Sequence, residues 1–198
     1  MNAFPFKSVA VFCGSSKGSD PFYVREAVKI GKCLADQKLA IVYGGAVVGL
    51  MGQVADAALA AGGRVTGVIP RSLKRKEIEH TGLSKCHVVE TMHERKQLMY
   101  DLSDVFIFCP GGLGTLDEAF EILTWSQLGL HIKPCGFLNL RGYFDPLVAQ
   151  LDRMKEEGFL RSEHREKVIV EDNIEQLLLS FVKHKPAVVE KWINHEAI

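Results

Sequence analysis

Short runs of β-branched and aromatic residues alternate with helical patterns along the whole of this sequence. The runs are SVAVFC (8–13), LAIVY (39–43), RVTGVI (64–69), CHVVET (86–91), DVFIFC (104–109), CGFLNL (135–140) and KVIV (167–170). Several are apolar at successive positions rather than at every second one, as strands covered on both faces must be. Between them, Val24, Ala27, Val28, Gly31, Leu34 and Ala35 recur at i, i+3, i+4, i+7 spacing. Leu147, Leu151 and Met154 do so before Gly158, as do Ile174, Leu177, Leu178, Phe181 and Val182. Parallel strands need long crossovers, and helices supply them. The expectation is an α/β fold: a doubly wound, mostly parallel sheet of about seven strands with helices on both faces. No linker, repeat or low-complexity tract interrupts it, so residues 1–198 are expected to form a single domain.

Charge narrows the partners. The 24 basic residues balance 24 acidic ones, so no global field draws in nucleic acid or an anionic membrane, and neither is expected as a partner. Any bound anion must be held by a local site. No apolar run reaches the length of a membrane span, and the opening MNAFPFKSVAVFCGSS lacks the pattern of a secretory signal, which leads us to expect a cytoplasmic protein. The cysteines at 13, 33, 86, 109 and 135 are odd in number and lack CxxC spacing. They are expected to be reduced core thiols. Beyond Pro186, Val188, Val189, Trp192 and Ile193 give more apolar surface than a free tail would keep, which suggests docking on a second subunit, a homodimer.

In a sheet of this kind ligands bind outside the carboxyl ends of the strands. Three glycine-bearing turns fall there: CGSSKGSD (13–20), YGGAVVGLMG (43–52) and CPGGLGT (109–115). None fits GxGxxG or GxxxxGK[ST]. Together they point to a phosphate-bearing ligand, because helix N-termini offer free N–H groups and a positive dipole end. Ser15, Gly44 and Gly45 are candidates on the first two turns. On the third, Gly111, Gly112 and Gly114 precede Thr115, which with Glu118 has the T-x-x-E spacing of a capping box. Capping accounts for Glu118 but not for three glycines, since one would serve the turn.

In TMHERKQLMYDLSD (91–104), Arg95 shares a helical stripe with Met92, Leu98, Met99 and Leu102. It should therefore be at least partly buried, and a buried guanidinium needs an anionic partner. Either it forms a structural ion pair with Glu118 or Glu121, or it lies beside a carboxylate and a phosphate at one site. Lys96, on the neighbouring face, is by its spacing expected to be solvated.

MHERK, followed fourteen residues after its lysine by PGGLGTLDE, resembles the paired MHxRK and PGGxGTxxE motifs of the LOG (Lonely guy) family of cytokinin riboside 5′-monophosphate phosphoribohydrolases. VAVFCGSS, VYGGAVVGLMGQVADAALAAGG, GVIP, EHTGL, TWSQLGLHIKP and NLRGYFDPL are also similar to segments of that family, so the resemblance covers nearly the whole chain. It implies a Rossmann-like fold, usually a homodimer, that hydrolyses a nucleoside 5′-monophosphate to free base and ribose 5-phosphate without a cofactor. It also implies that Arg95 and Glu118 are catalytic. Substrate contacts would fall on Glu77, Arg95, Lys96, Gly112, Leu113, Gly114, Thr115, Glu118 and Thr124, with Glu121 a further candidate. This sequence has Ala46 where the family's usual triple glycine would end, and Tyr100 where a small residue is common.

The implied chemistry suits these residue types. Breaking the C1′–N bond builds oxocarbenium character on the ribose, which a carboxylate beneath it stabilises. A guanidinium cannot serve as the proton donor, so Arg95 would hold the substrate anion and fix Glu118. His80, His93 and His131 lack metal-ligand spacing, so structural or solvated roles and no metal are expected. Trp125 is expected to pack in the core or at an interface, with base stacking as its alternative. Two other readings remain: a non-catalytic nucleotide sensor, and a pyridoxal-phosphate decarboxylase, which would need a Schiff-base lysine.

Overall fold

The structure, a computed structural model, describes residues 4–74 and 79–184. Seven strands form, each within two residues of its expected limits: β1 (Ser8–Phe12), β2 (Ala40–Tyr43), β3 (Val65–Pro70), β4 (Lys85–Val89), β5 (Val105–Phe108), β6 (Cys135–Leu138) and β7 (Val168–Glu171). They make one sheet in the order β4-β3-β2-β1-β5-β6-β7, every neighbouring pair parallel. The described helices are α1 (Pro21–Asp36), α2 (Gly49–Ala60), α3 (Arg71–Lys74), α4 (Met92–Asp101), α5 (Leu113–Gln127), α6 (Asp145–Glu156), α7 (Ser162–Arg165) and α8 (Ile174–Lys183).

The central strands are apolar on both faces because both faces are covered. On β1, Val9 and Val11 enter a core with Ile30 and Leu34 of α1, Val54 of α2 and Leu177 of α8. Ala10 and Phe12 enter the opposite core with Met99 of α4, Ala119 and Ile122 of α5 and Leu151 of α6. β5 divides in the same way, Val105 and Ile107 on one side, Phe106 and Phe108 on the other. Burying each such side chain contributes roughly 1.5–3 kcal/mol. Tyr100 stacks on Phe106, its ring 5.8 Å away, and meets Trp125 edge-on at 5.3 Å, so both rings are packing elements. All five cysteines are free thiols, with Cys13, Cys109 and Cys135 buried.

The chain builds outward from β1 to β4, then crosses back to lay β5 on the other side of β1. That reversal opens the sheet's carboxyl edge between the loops after β1 and β5, where α/β sheets bind ligands.

Candidate functional site

The loop after β5 is short. α5 begins at Leu113 with Gly112 as its N-cap, and no side chain caps it. Thr115 therefore lies inside the first turn, its N–H donating to the Gly112 carbonyl at 3.1 Å. The capping-box reading of Thr115 and Glu118 is thus corrected: Glu118 sits one turn into the helix, and its carboxylate accepts from Arg95 rather than from the Thr115 N–H. The capping threonine and glutamate belong to α4 instead. Thr91 Oγ1 accepts the Glu94 N–H at 3.1 Å, and Glu94 Oε2 accepts the Glu90 N–H at 2.9 Å.

The glycines differ in purpose. A Cβ on Gly111 would run into Thr115 Oγ1 and the Gly14 nitrogen, so packing demands glycine there. A Cβ on Gly112 or Gly114 would meet nothing, and neither residue has a left-handed φ. Among the described residues nothing requires these two to be glycine. Their bare backbone leaves the N–H groups of Gly112, Leu113 and Gly114 open at the positive end of α5, with no acceptor among the described residues.

α4 lies against this helix start and presents two cations. Arg95, only 8% exposed, donates through Nε to the Val68 carbonyl at 3.1 Å and through Nη1 to Glu118 Oε1 at 2.6 Å. Lys96 is equally buried, which corrects the expectation of a solvated lysine. Its Nζ reaches Asp117 Oδ2 at 3.2 Å and Glu121 Oε1 at 3.0 Å. Consecutive cations on α4 thus straddle the consecutive acids of α5. Burial raises the Glu118 pKa, and the Arg95 charge and hydrogen bond offset that only in part. Burial alone would lower the Lys96 pKa, yet the bonds to Glu121 and Asp117 hold it above the ordinary lysine value.

Ser15, Gly44, Arg95, Gly112, Leu113, Gly114, Thr115 and Glu118 line one cleft of about 410 Å³. Ala46, Met51, Ile69 and Met92 supply its apolar wall. The other candidates fall elsewhere. Gly45 serves the turn, with φ +77° and a carbonyl that accepts the His80 N–H at 2.9 Å. Glu121 faces a separate hollow beside His93, Gln97 and Trp125, and exposed Thr124 borders a third cavity with Phe120 and Leu123. Glu77 lies outside the described residues, as do Val188, Val189, Trp192 and Ile193. His80 meets Asp56 and His131 the Ile122 carbonyl, each at 2.9 Å, while His93 is exposed.

A family model described as "Possible lysine decarboxylase" matches residues 51–181. A cytokinin riboside 5′-monophosphate phosphoribohydrolase of Rhodococcoides fascians is 51% identical over 170 residues, 85% of this chain and 86% of that protein. This chain belongs to the LOG family. The enzyme of the same name from Oryza sativa subsp. japonica is 40% identical over 181 residues, covering 91% of this chain and 75% of its own. Among solved structures, a molybdenum cofactor binding protein from Rippkaea orientalis superposes with a TM-score of 0.66 at 22% identity, over 89% of this chain and 95% of that one. That likeness is one of fold alone.

Two features of this LOG chain's site carried no assigned role in the sequence reading. Asp117 shares Lys96 with Glu121, and its signal was available in its position beside Glu118 in the second turn of α5. Tyr143 Oη donates to the Gly111 carbonyl at 2.6 Å from 32 residues away. Nothing in the spacing of RGYF announces that contact.

Proposed function

We propose that this protein hydrolyses the N-glycosidic bond of purine riboside 5′-monophosphates, of adenine or N6-prenylated adenine, releasing free base and ribose 5-phosphate. The observation that carries this reading is the buried Arg95–Glu118 pair, 2.6 Å apart and opening onto the same cleft as the bare N–H groups of α5. The 5′-phosphate sits on those N–H groups and places the ribose over Glu118. As the C1′–N bond breaks, its electrons leave with the base and positive charge grows on the sugar, which the carboxylate stabilises. Water then bonds to C1′. The proton it loses is matched by the one that the departing base takes up on its freed nitrogen, so the products are neutral base and ribose 5-phosphate. Arg95 holds the carboxylate in place and adds charge beside the anion. The whole chain acts as one catalytic domain with no cofactor, and among the described residues no three His, Cys, Asp or Glu side chains are grouped as a metal site needs.

The decarboxylase description finds no support at this cleft. A Schiff-base lysine must shed its proton near neutral pH, whereas Lys96 is held protonated between two carboxylates.

The enzyme works as a cytoplasmic homodimer. Among the described residues no helix is long and apolar enough to cross a membrane, and the free thiols suit a reducing compartment. Leu130 and Ile132, 65% and 48% exposed beside the end of α5, offer an apolar surface for a second copy. A solution mass of only 22.0 kDa at micromolar concentration would exclude the dimer.

Product analysis tests the function. Purified protein given AMP beside N6-isopentenyladenosine monophosphate should release free base and ribose 5-phosphate, with the preferred base settling specificity. The unphosphorylated ribosides should react poorly and a chelator should change nothing. A protein that binds the nucleotides without releasing base is a sensor, not a hydrolase.

A further inference from the structure

Tyr143 stands at the end of a turn that is held in place on several sides. Within the 3-10 turn Leu140–Gly142, Arg141 and Gly142 both take left-handed backbone, φ +52° and +72°. For arginine that conformation costs about 1–2 kcal/mol. Partners hold it there: Arg141 Nη1 pairs with Asp20 at 2.8 Å, and its guanidinium lies 3.7 Å from the centre of the Phe22 ring. Asn139 ties the far end, its Oδ1 accepting the Phe144 N–H and its Nδ2 donating to Asp145, both at 2.7 Å. The Tyr143 ring packs edge-on against Tyr23 and Phe144. This frame delivers the phenol to one atom of the loop after β5, the Gly111 carbonyl oxygen, at 2.6 Å.

That oxygen belongs to the Gly111–Gly112 peptide. All peptides of the described chain are trans, so the Gly112 N–H points opposite to the carbonyl that Tyr143 holds. A peptide between two glycines has little side-chain bulk to fix its orientation, and a flip would exchange its N–H and C=O directions. In the flipped state a carbonyl oxygen would face the place where the N–H now points, repelling an anion instead of binding it. The N–H groups of Leu113 and Gly114 are set by the helix that follows; the Gly112 N–H is not.

We infer that Tyr143 is a positioning residue for the phosphate loop, fixing the Gly111–Gly112 peptide so that the Gly112 N–H faces the substrate's 5′-phosphate. This rests on the proposed nucleotide hydrolysis with phosphate bound at the start of α5. Tyr143 touches no reacting atom and acts through the peptide it holds.

The test is Tyr143→Phe, which removes the hydroxyl and keeps the ring with its packing. Steady-state kinetics with AMP, inhibition by ribose 5-phosphate and by adenine, and thermal melting are measured on parent and variant. The phosphate contact is present in ground and transition states alike, so its loss should raise KM about tenfold or more while kcat stays within about threefold. Ribose 5-phosphate should lose affinity in parallel, adenine should not, and the melting temperature should hold. Unchanged KM and ribose 5-phosphate affinity in the variant overturns the inference. So does an equal loss of adenine affinity, or of kcat, because a merely structural role would produce it. If the parent itself hydrolyses adenosine as well as AMP and ignores ribose 5-phosphate, the phosphate-loop reading fails first, whatever the variant does.

Discussion

The Arg95 guanidinium occupies the space that a side chain on Gly44 would fill: a Cβ built there runs into Nη2. The loop after β2 and the helix α4 are thus fitted to each other at one atom. Gly44 has no left-handed φ, so alanine is compatible with its backbone. The main effect of substitution comes from displacing Arg95, with the Met51 sulfur, 3.1 Å from that Cβ, yielding by a few tenths of an ångström. Gly44→Ala should push the guanidinium off Glu118 while leaving the fold intact. Misplacing a positioning group by about 1 Å costs on the order of 10²-fold, and kcat/KM for AMP should fall by roughly that much with little change in melting temperature. Activity within about threefold of the parent would show that Arg95 does not need this seat.

Activity should need Glu118 as a carboxylate, and the pH profile follows from that. Burial raises its pKa, Arg95 pulls it back in part, Asp117 raises it and Lys96 lowers it. Below the pKa the group is neutral and unable to stabilise positive charge; above it the carboxylate is restored. The acid limb of kcat should therefore rise with pH through a midpoint above the ordinary glutamate value of about 4.3. A midpoint at or below that value would mean that another group governs the limb.

Lys96 gives a way to move that midpoint. Lys96→Met removes the cation that Asp117 and Glu121 share and leaves their charges uncompensated near Glu118. The midpoint should shift upward, and kcat at pH values above it should recover to within several-fold of the parent. Were Lys96 chiefly a substrate ligand, the loss would instead appear in KM at every pH.

The strands were legible because burial on both faces writes continuous apolar runs, as in VFIF of β5. The loops were legible as glycine clusters, but not how each glycine is used. Gly111 is glycine for packing and Gly112 is not, a distinction that depends on where Thr115 and Gly14 come to lie. Two T-x-x-E patterns, Thr91–Glu94 and Thr115–Glu118, look alike in sequence. Only the position of the helix start, with Gly112 rather than Thr115 as N-cap, separates them. The burial of Lys96 was hidden for a similar reason: its carboxylates come from another helix, 21 residues on in the case of Asp117. Helical periodicity reports the face a residue occupies, not what packs over that face. Thr124 shares α5 with Glu118 but borders a different cavity, since about a turn and a half of helix separates them.

Glu118 and Glu121, one turn apart on α5, should behave as opposites. Glu118 opens onto the cleft with Arg95, whereas Glu121 pairs with Lys96 and faces the hollow beside Trp125. Glu118→Gln keeps the shape and an amide oxygen for Arg95 but removes the charge. Its kcat should fall by about 10²–10³, the scale of losing one preorganised electrostatic contact. Stability should change by only about 1 kcal/mol, because burial already disfavours the carboxylate, which offsets the weaker bond left to Arg95. AMP binding should persist, since the phosphate loop is untouched. Glu121→Gln changes a residue outside that cleft, and its kcat should stay within about threefold, under ~1 kcal/mol in barrier. Should Glu121→Gln prove the inactive variant and Glu118→Gln turn over normally, the chemistry belongs to the hollow beside Trp125, and Arg95–Glu118 is a structural ion pair.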